Sequence, residues 1–258
     1  MSAPVSKLNN ALLTLCFLTF TASLSAGANS SEKSTKTCCI QCSNSIPILR
    51  VSKTGKYERI LLTQLRDKNT SMEDFRSASR KLAALLVNKV IQILPSKSIE
   101  IESPVGRCKG EFVNPQIELV SIMRSGDALL ETFMEHFPKA NVNKILIQRD
   151  EETAKPCFIY KKLSPSIANG RYVVITEPAI ATGGTIDMTV SLLKDLGVAE
   201  EKIIIASLIA APEGLMDLSQ KYPKINVALT ALDESLNENK YIVPGLGDFG
   251  DRYFGTPH

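Results

Sequence analysis

RYVVITEPAIATGGTIDMTVSLLKDLG, from Arg171 to Gly197, holds three kinds of local structure in one run. Tyr172 to Ile175 is a β-branched apolar block, the composition of a strand buried on both faces. Thr185 to Leu196 places apolar residues at helical spacing, and Gly197 is the residue type that most often stops a helix. Between them lies an acidic, small-residue loop beginning at Glu177. A strand that feeds through a glycine-bearing turn into a helix points backbone N–H groups at one spot, where the helix dipole also favours an anion. That geometry is a phosphate cradle. Gly183 and Gly184 allow close approach to the backbone, and Thr182 and Thr185 add hydroxyl donors. Ordinary strand–loop–helix connections share the same order, so the loop alone leaves both readings open.

The pattern continues outward on both sides. Apolar runs rich in Ile and Val at Leu119 to Met123, Ile145 to Ile147, Ile203 to Ile209 and Ile225 to Leu229 alternate with helical segments. Helices are predicted at Asp127 to Phe137, Thr185 to Leu196 and Gly214 to Lys221. This alternation predicts an α/β fold, a mostly parallel sheet with flanking helices. Upstream, Ser71 and Asp74 have capping-box spacing, and Phe75, Ala78, Leu82, Leu85, Leu86 and Ile93 follow at helical intervals, so a helix should run to about Leu94. The polar stretch between Arg149 and Pro165, around Phe158 to Tyr160, suits a protruding β-hairpin arm. No internal repeat is visible.

Composition bounds the function. With 258 residues and 44% hydrophobic content the chain can bury one sizeable core, and a net charge of +3 is too small for a nucleic-acid groove. Any anionic ligand must then be held by a few placed groups. The two histidines, His136 and His258, supply no Ser-His-Asp or Cys-His machinery. Six cysteines form no disulfide framework, and Cys38, Cys39 and Cys42 have the spacing of half a zinc site without a second half. Lys7, the apolar stretch Ala11 to Phe20 and the small residues Ser25 to Ala28 read either as a signal or targeting segment or as an untidy extension. The stretch is shorter than the about 20 residues a membrane span needs. Residues 1–50 are therefore expected to be a largely disordered extension, and 51–258 the folded domain.

The motifs carry the reading further. EPAIATGGT, Glu177 to Thr185, resembles the loop by which phosphoribosyltransferases bind phosphoribosyl pyrophosphate (PRPP). SIMRSG (Ser121 to Gly126), ILIQRDEET (Ile145 to Thr153) and YIVPGLGDFGDRYFGT (Tyr241 to Thr256) resemble the uracil-specific branch. LLTQLRDKNTS (Leu61 to Ser71) and AAPEG (Ala210 to Gly214) are similar to it as well. The ordered set, from about Tyr57 to Thr256, is far more specific than any one motif.

The resemblance implies the type I phosphoribosyltransferase fold, cytoplasmic location and pyrimidine salvage, in which uracil and PRPP give UMP and pyrophosphate with magnesium. It assigns Arg124 and Arg149 to the pyrophosphate, as guanidinium matches phosphate oxygens bidentately. Glu177, Pro178, Ala179, Ile180, Ala181, Thr182, Gly183, Gly184 and Thr185 would bind PRPP, with Glu177 on the ribose hydroxyls where most of the family has Asp. Tyr241, Ile242, Gly247, Asp248 and Phe249 would read uracil, with Tyr241 or Phe249 stacking on the ring. Asp248 would also sit near the ribose and water-bound magnesium, and be catalytic together with Arg124 and Arg149. The family further implies a homo-oligomer and GTP as an activator, with Arg66 the place to look for it. A different class of reading is a non-catalytic uracil or UMP sensor, favoured by Glu177 and by Ser125 where Ala is usual. An RNA-binding regulator lacks a clustered basic face. Two side readings complete the tail. Gly245, Gly247 and Gly250 spell a dinucleotide fingerprint, discounted because Pro244 precedes it, no helix is expected after it and the chain ends too soon. Asp233, Glu234 and Glu238 read as a solvated loop.

Overall fold

Seven strands run side by side in the order β1 (Leu49–Arg50), β10 (Asn226–Leu232), β9 (Ile203–Ala210), β7 (Tyr172–Thr176), β4 (Ile117–Met123), β5 (Asn141–Arg149) and β6 (Pro156–Lys162), and β8 (Ala179–Ile180) adds to β9. The fold is a computed structural model that describes residues 49–50, 54–113, 115–149 and 156–256. The signal-like segment, the Cys38–Cys39–Cys42 cluster and the tip of the predicted arm lie outside the described residues. All neighbouring pairs are parallel except β5 with β6, so the sheet is mostly parallel, as the alternation predicts.

Parallel strands need helical crossovers, and these cover both faces. Within one strand, neighbouring residues go to opposite cores. Leu119, Val174, Ile204 and Ala206 pack under α1 (Lys56–Arg66), α2 (Met72–Ile91), α3 (Asp127–His136) and α6 (Phe249–Phe254). Val120, Ile122, Val173, Ile175, Ile203 and Ile205 pack under α4 (Gly184–Asp195) and α5 (Pro212–Lys221). Burial on both sides is why these strands read as continuous apolar runs. The predicted cap of α2 forms, with the Ser71 hydroxyl accepting from Asp74 N at 3.1 Å.

Several elements depart from expectation. α1 is amphipathic, burying Leu61, Leu62 and Leu65, and Glu58 pairs with Lys89 of α2 at 3.1 Å in a buried setting. β2 (Ser96–Ser103) and β3 (Gly106–Val113) form a separate, exposed antiparallel hairpin that the sequence reading passes over. α6 corrects the expectation that no helix follows the tail glycines, since Asp248 caps it by accepting from Asp251 N at 2.9 Å. The fingerprint still fails, because a six-residue helix opening inside the glycine spacing is not the helix of a βαβ unit. Asp233 is no solvated loop residue: it is 6% exposed and ion-paired with Arg66. Among the described residues, no helix is long and apolar enough to cross a membrane, and no group of three His, Cys, Asp or Glu is placed to hold a metal.

Candidate active site

Ligand sites in open parallel sheets lie beyond the C-terminal ends of the strands. Four of the sequence motifs meet there. After β7 the chain runs through Glu177 into β8, where Ala179 and Ile180 pair with β9 and Glu177 N donates to Ala206 O at 3.2 Å. The carbonyls of Pro178 and Ile180 accept from Leu208, Ile209 and Ala211 amides, so this part of the loop is committed to the sheet. What remains for an anion is Ala181 to Thr185, at the N-terminus of α4. Gly183 caps that helix at φ 82°, a left-handed conformation in which glycine carries no Cβ penalty. The first amides of a helix have no carbonyl partner within it; here Gly184 N makes only a long 3.5 Å bond to Thr182 Oγ1, at the dipole's positive end.

The loop rests on the first turn of α5, which explains the AAPEG motif. A Cβ at Gly214 would stand 2.2 Å from Ala181 O, so the two backbones approach too closely for any side chain. At its other end, α5 holds α4 in place. Tyr222 donates to the Asp187 carboxylate at 2.7 Å and Lys221 at 2.9 Å. Burial alone would push the Asp187 carboxyl up, but these two hydrogen bonds outweigh it and leave the group below its ordinary range. Burial, followed by the bond to Asp187, pushes the Tyr222 hydroxyl up to about 12.

Arg124 follows β4 in a tight turn joined by a cis Met123–Arg124 peptide. The turn is fastened to β7, as Thr176 donates to Gly126 O at 3.1 Å, and a Cβ at Gly126 would meet Thr176 O at 2.3 Å. Arg124 thus stands beside the loop that starts at Glu177. Its guanidinium reaches the tail, with Nη2 2.8 Å from Asp251 Oδ1 and Nη1 3.0 Å from Thr256 Oγ1, yet the side chain remains 53% exposed. Arg149 ends β5, at the base of the arm made with β6. The arm leans toward the loop, since a Cβ at Gly184 would lie 3.5 Å from the Pro156 ring.

The profile of the uracil phosphoribosyltransferase family matches residues 54–256. The chain belongs to that family. The uracil phosphoribosyltransferase of Dictyostelium discoideum is 41% identical over 207 residues, covering 80% of this chain and 95% of its own. That of Dictyoglomus thermophilum is 40% identical over 196 residues, covering 76% and 93%. The structure of the AQ2163 protein from Aquifex aeolicus superposes with a TM-score of 0.72 at 29% identity, covering 81% of this chain and 99% of that one.

Seen as a uracil phosphoribosyltransferase, the chain corrects one assigned residue and qualifies others. Phe249 cannot offer a stacking face. It is 4% exposed and packs against Phe75 and Tyr253, with ring centroids 5.3 and 5.7 Å away. Tyr241, at 56% exposure, is the accessible aromatic beside Ile242. Gly247 is exposed with φ 75°, and Asp248 is exposed while capping α6. Arg66, the candidate effector residue, has its guanidinium engaged with Asp233 and with Gly245 O. The sequence reading gave no role to Thr176, Gly214, Asp251 and Thr256. For Asp251 a signal existed, since Asp248 and Asp251 have the spacing that opens a helix.

Proposed function

We propose that this chain joins uracil to PRPP, giving UMP and pyrophosphate. The observation that carries the reading is the bond between Arg124 and Asp251, because it draws the turn beside the phosphate-type loop onto the tail segment that resembles the uracil reader. Ala181 to Thr185 receive the 5′-phosphate with backbone amides and threonine hydroxyls. Glu177 accepts from the ribose hydroxyls. Arg124, with Arg149 from the arm, carries the pyrophosphate, and Tyr241, Ile242 and Gly247 surround uracil.

In the reaction the bond from uracil N1 to the anomeric carbon forms while the bond from that carbon to the pyrophosphate oxygen breaks. The electron pair leaves with pyrophosphate, and the N1 proton passes to water. The sugar is oxocarbenium-like in the transition state, so the protein's work is alignment and charge stabilisation at the departing oxygens. Magnesium, when bound, neutralises pyrophosphate charge. The donor set fits a cation carried in by PRPP's own oxygens, since the described residues offer exposed Asp248 rather than a cage of carboxylates. Residues 51–258 would form the catalytic domain, assembled as a homo-oligomer in the cytoplasm, and GTP activation would act away from the reacting groups.

Incubation with uracil, PRPP and magnesium, followed by chromatographic detection of UMP and pyrophosphate, tests the reading. UMP formation is the expected result. Uracil binding without UMP would replace the enzyme by a sensor.

A further inference from the structure

Pro244 to Asp248 crosses from β12 (Ile242–Val243), which pairs with β11 (Ser235–Leu236), to α6 without regular secondary structure, so its backbone must be held by something other than a ladder. Two residues from opposite ends of the chain do this. Arg66, at the end of α1, meets Asp233, which follows β10, with Nη1 2.7 Å from Oδ2 and Nη2 2.5 Å from Oδ1. The same pair grips Gly245. Gly245 N donates to Asp233 Oδ2 at 2.9 Å, and Gly245 O accepts from Arg66 Nη1 at 2.7 Å. Gly245 adopts φ 61°, and a Cβ there would meet Ile242 O at 2.1 Å, so the turn is tight as well as tethered. One residue on, Leu246 O accepts from Arg252 Nη1 at 2.7 Å, while Arg252 Nη2 donates to Asp67 O at 2.6 Å just beyond α1.

The residue delivered by this arrangement is Gly247. It is exposed, and among the described residues no hydrogen bond is made by its amide or carbonyl. The Asp233 side chain is only 2% exposed and that of Arg66 25%, so the carboxylate end of the pair is the buried one. Ion pairs that buried add little net stability, because desolvation offsets the attraction, and their better-attested use is to fix one geometry among several. Base selection by backbone groups needs such fixing, within about 0.5 Å.

We propose that Arg66 and Asp233 are positioning residues for base recognition, a clamp on Gly245 that sets where the backbone of Gly247 meets the pyrimidine. The inference rests on the reading of the tail as the uracil subsite. It gives Arg66 a task that needs no effector.

The test compares wild type with Asp233→Asn, Arg66→Gln, Arg66→Lys and the Arg66→Gln, Asp233→Asn double variant. Uracil binding is read by calorimetry, and UMP formation by steady-state kinetics with each substrate varied in turn. Asp233→Asn keeps the side chain's size and an acceptor for Gly245 N but loses the charge. The Kd and KM for uracil should rise about tenfold, while the KM for PRPP stays within about twofold. The double variant should be no worse than the worse single one, because the two residues act as a unit. Arg66→Lys, which keeps charge without the fork, should fall between. Equal rises in both KM values, or a lowered melting temperature with unchanged uracil affinity, would overturn the clamp. If Asp233→Asn does not fold, Arg66→Lys provides the same split between substrates. A wild type that binds uracil but forms no UMP refutes the enzyme reading and leaves the clamp to the binding arm. One that neither binds uracil nor forms UMP overturns both.

Discussion

Gly214→Ala places a methyl group where the phosphate-type loop leans on α5. The added carbon would lie 2.2 Å from Ala181 O and 3.0 Å from both Gly183 N and the Thr182 carbonyl carbon. Carbon and carbonyl oxygen settle at about 3.3 Å or more, so the loop must retreat by about 1 Å. α5 yields less easily, because Leu215 and Leu218 anchor it in the core. A displacement of about 1 Å at a positioning element can lower the rate about a hundredfold. The expected result is a fall of about that size in kcat/KM for PRPP, with a much smaller change in uracil affinity, since the bonds that hold Gly245 and Leu246 come from Arg66, Asp233 and Arg252 rather than from this turn. Overpacking of this kind costs about 1–3 kcal/mol, so the melting temperature should fall by several degrees while the protein stays folded. Steady-state UMP formation with PRPP varied at saturating uracil and magnesium, alongside thermal unfolding, reads both effects. A folded variant with normal PRPP kinetics would refute the reasoning, because the loop would then not hold the phosphate.

Other substitutions address single groups. Arg124→Ala should lose at least about a hundredfold in turnover, as removing one preorganised charge-stabilising donor does; near-normal kcat would end its assignment to the pyrophosphate. Asp248→Asn retains a good helix cap and Asp248→Ala does not, so only the Ala variant should lose about 1 kcal/mol in denaturant unfolding, while both lose UMP formation. Full activity in Asp248→Asn would reduce Asp248 to a cap. Glu177→Gln should raise the KM for PRPP about tenfold by removing the charge that strengthens its hydrogen bonds, whereas Glu177→Asp should remain active. An unchanged KM in the Gln variant would remove Glu177 from the ribose.

The parts of the fold legible in the sequence are those with a period. β4, β7, β9 and β10 each announce themselves as apolar runs because both faces are covered, and α2 does so by its cap and its 3.6-residue stripe. β2 and β3 escaped because their exposed residues form no core face: Glu100 stands opposite Lys109 and Glu102 opposite Arg107. The phosphate-type loop was legible as chemistry but not as geometry. Nothing in EPAIATGGT tells that Pro178 to Ile180 join the sheet while Ala181 to Thr185 stay beside the helix terminus.

The tail shows why a site can be recognisable yet remain physically obscure. Its start and stop signals were present, with Asp248 and Asp251 at capping distance and Gly255 in the left-handed conformation that ends a helix. They were hidden by a helix of only six residues, too short to show a stripe. Phe249 gives no sign of its burial for the same reason, because it is the helix that turns it inward to Phe75. Such a short element cannot hold itself in place, since a helix of this length gains too little from its own bonds to offset nucleation. Charged side chains supply the difference: Arg66 and Asp233 take Gly245, Arg252 takes Leu246, and Arg124 takes Asp251 and Thr256. Bonds of this type have no period and span long sequence separations, 167 residues in the case of Arg66 and Asp233. The sequence names the partners, but only the folded sheet, by bringing the ends of α1, β4 and β10 together, decides which charge meets which backbone group.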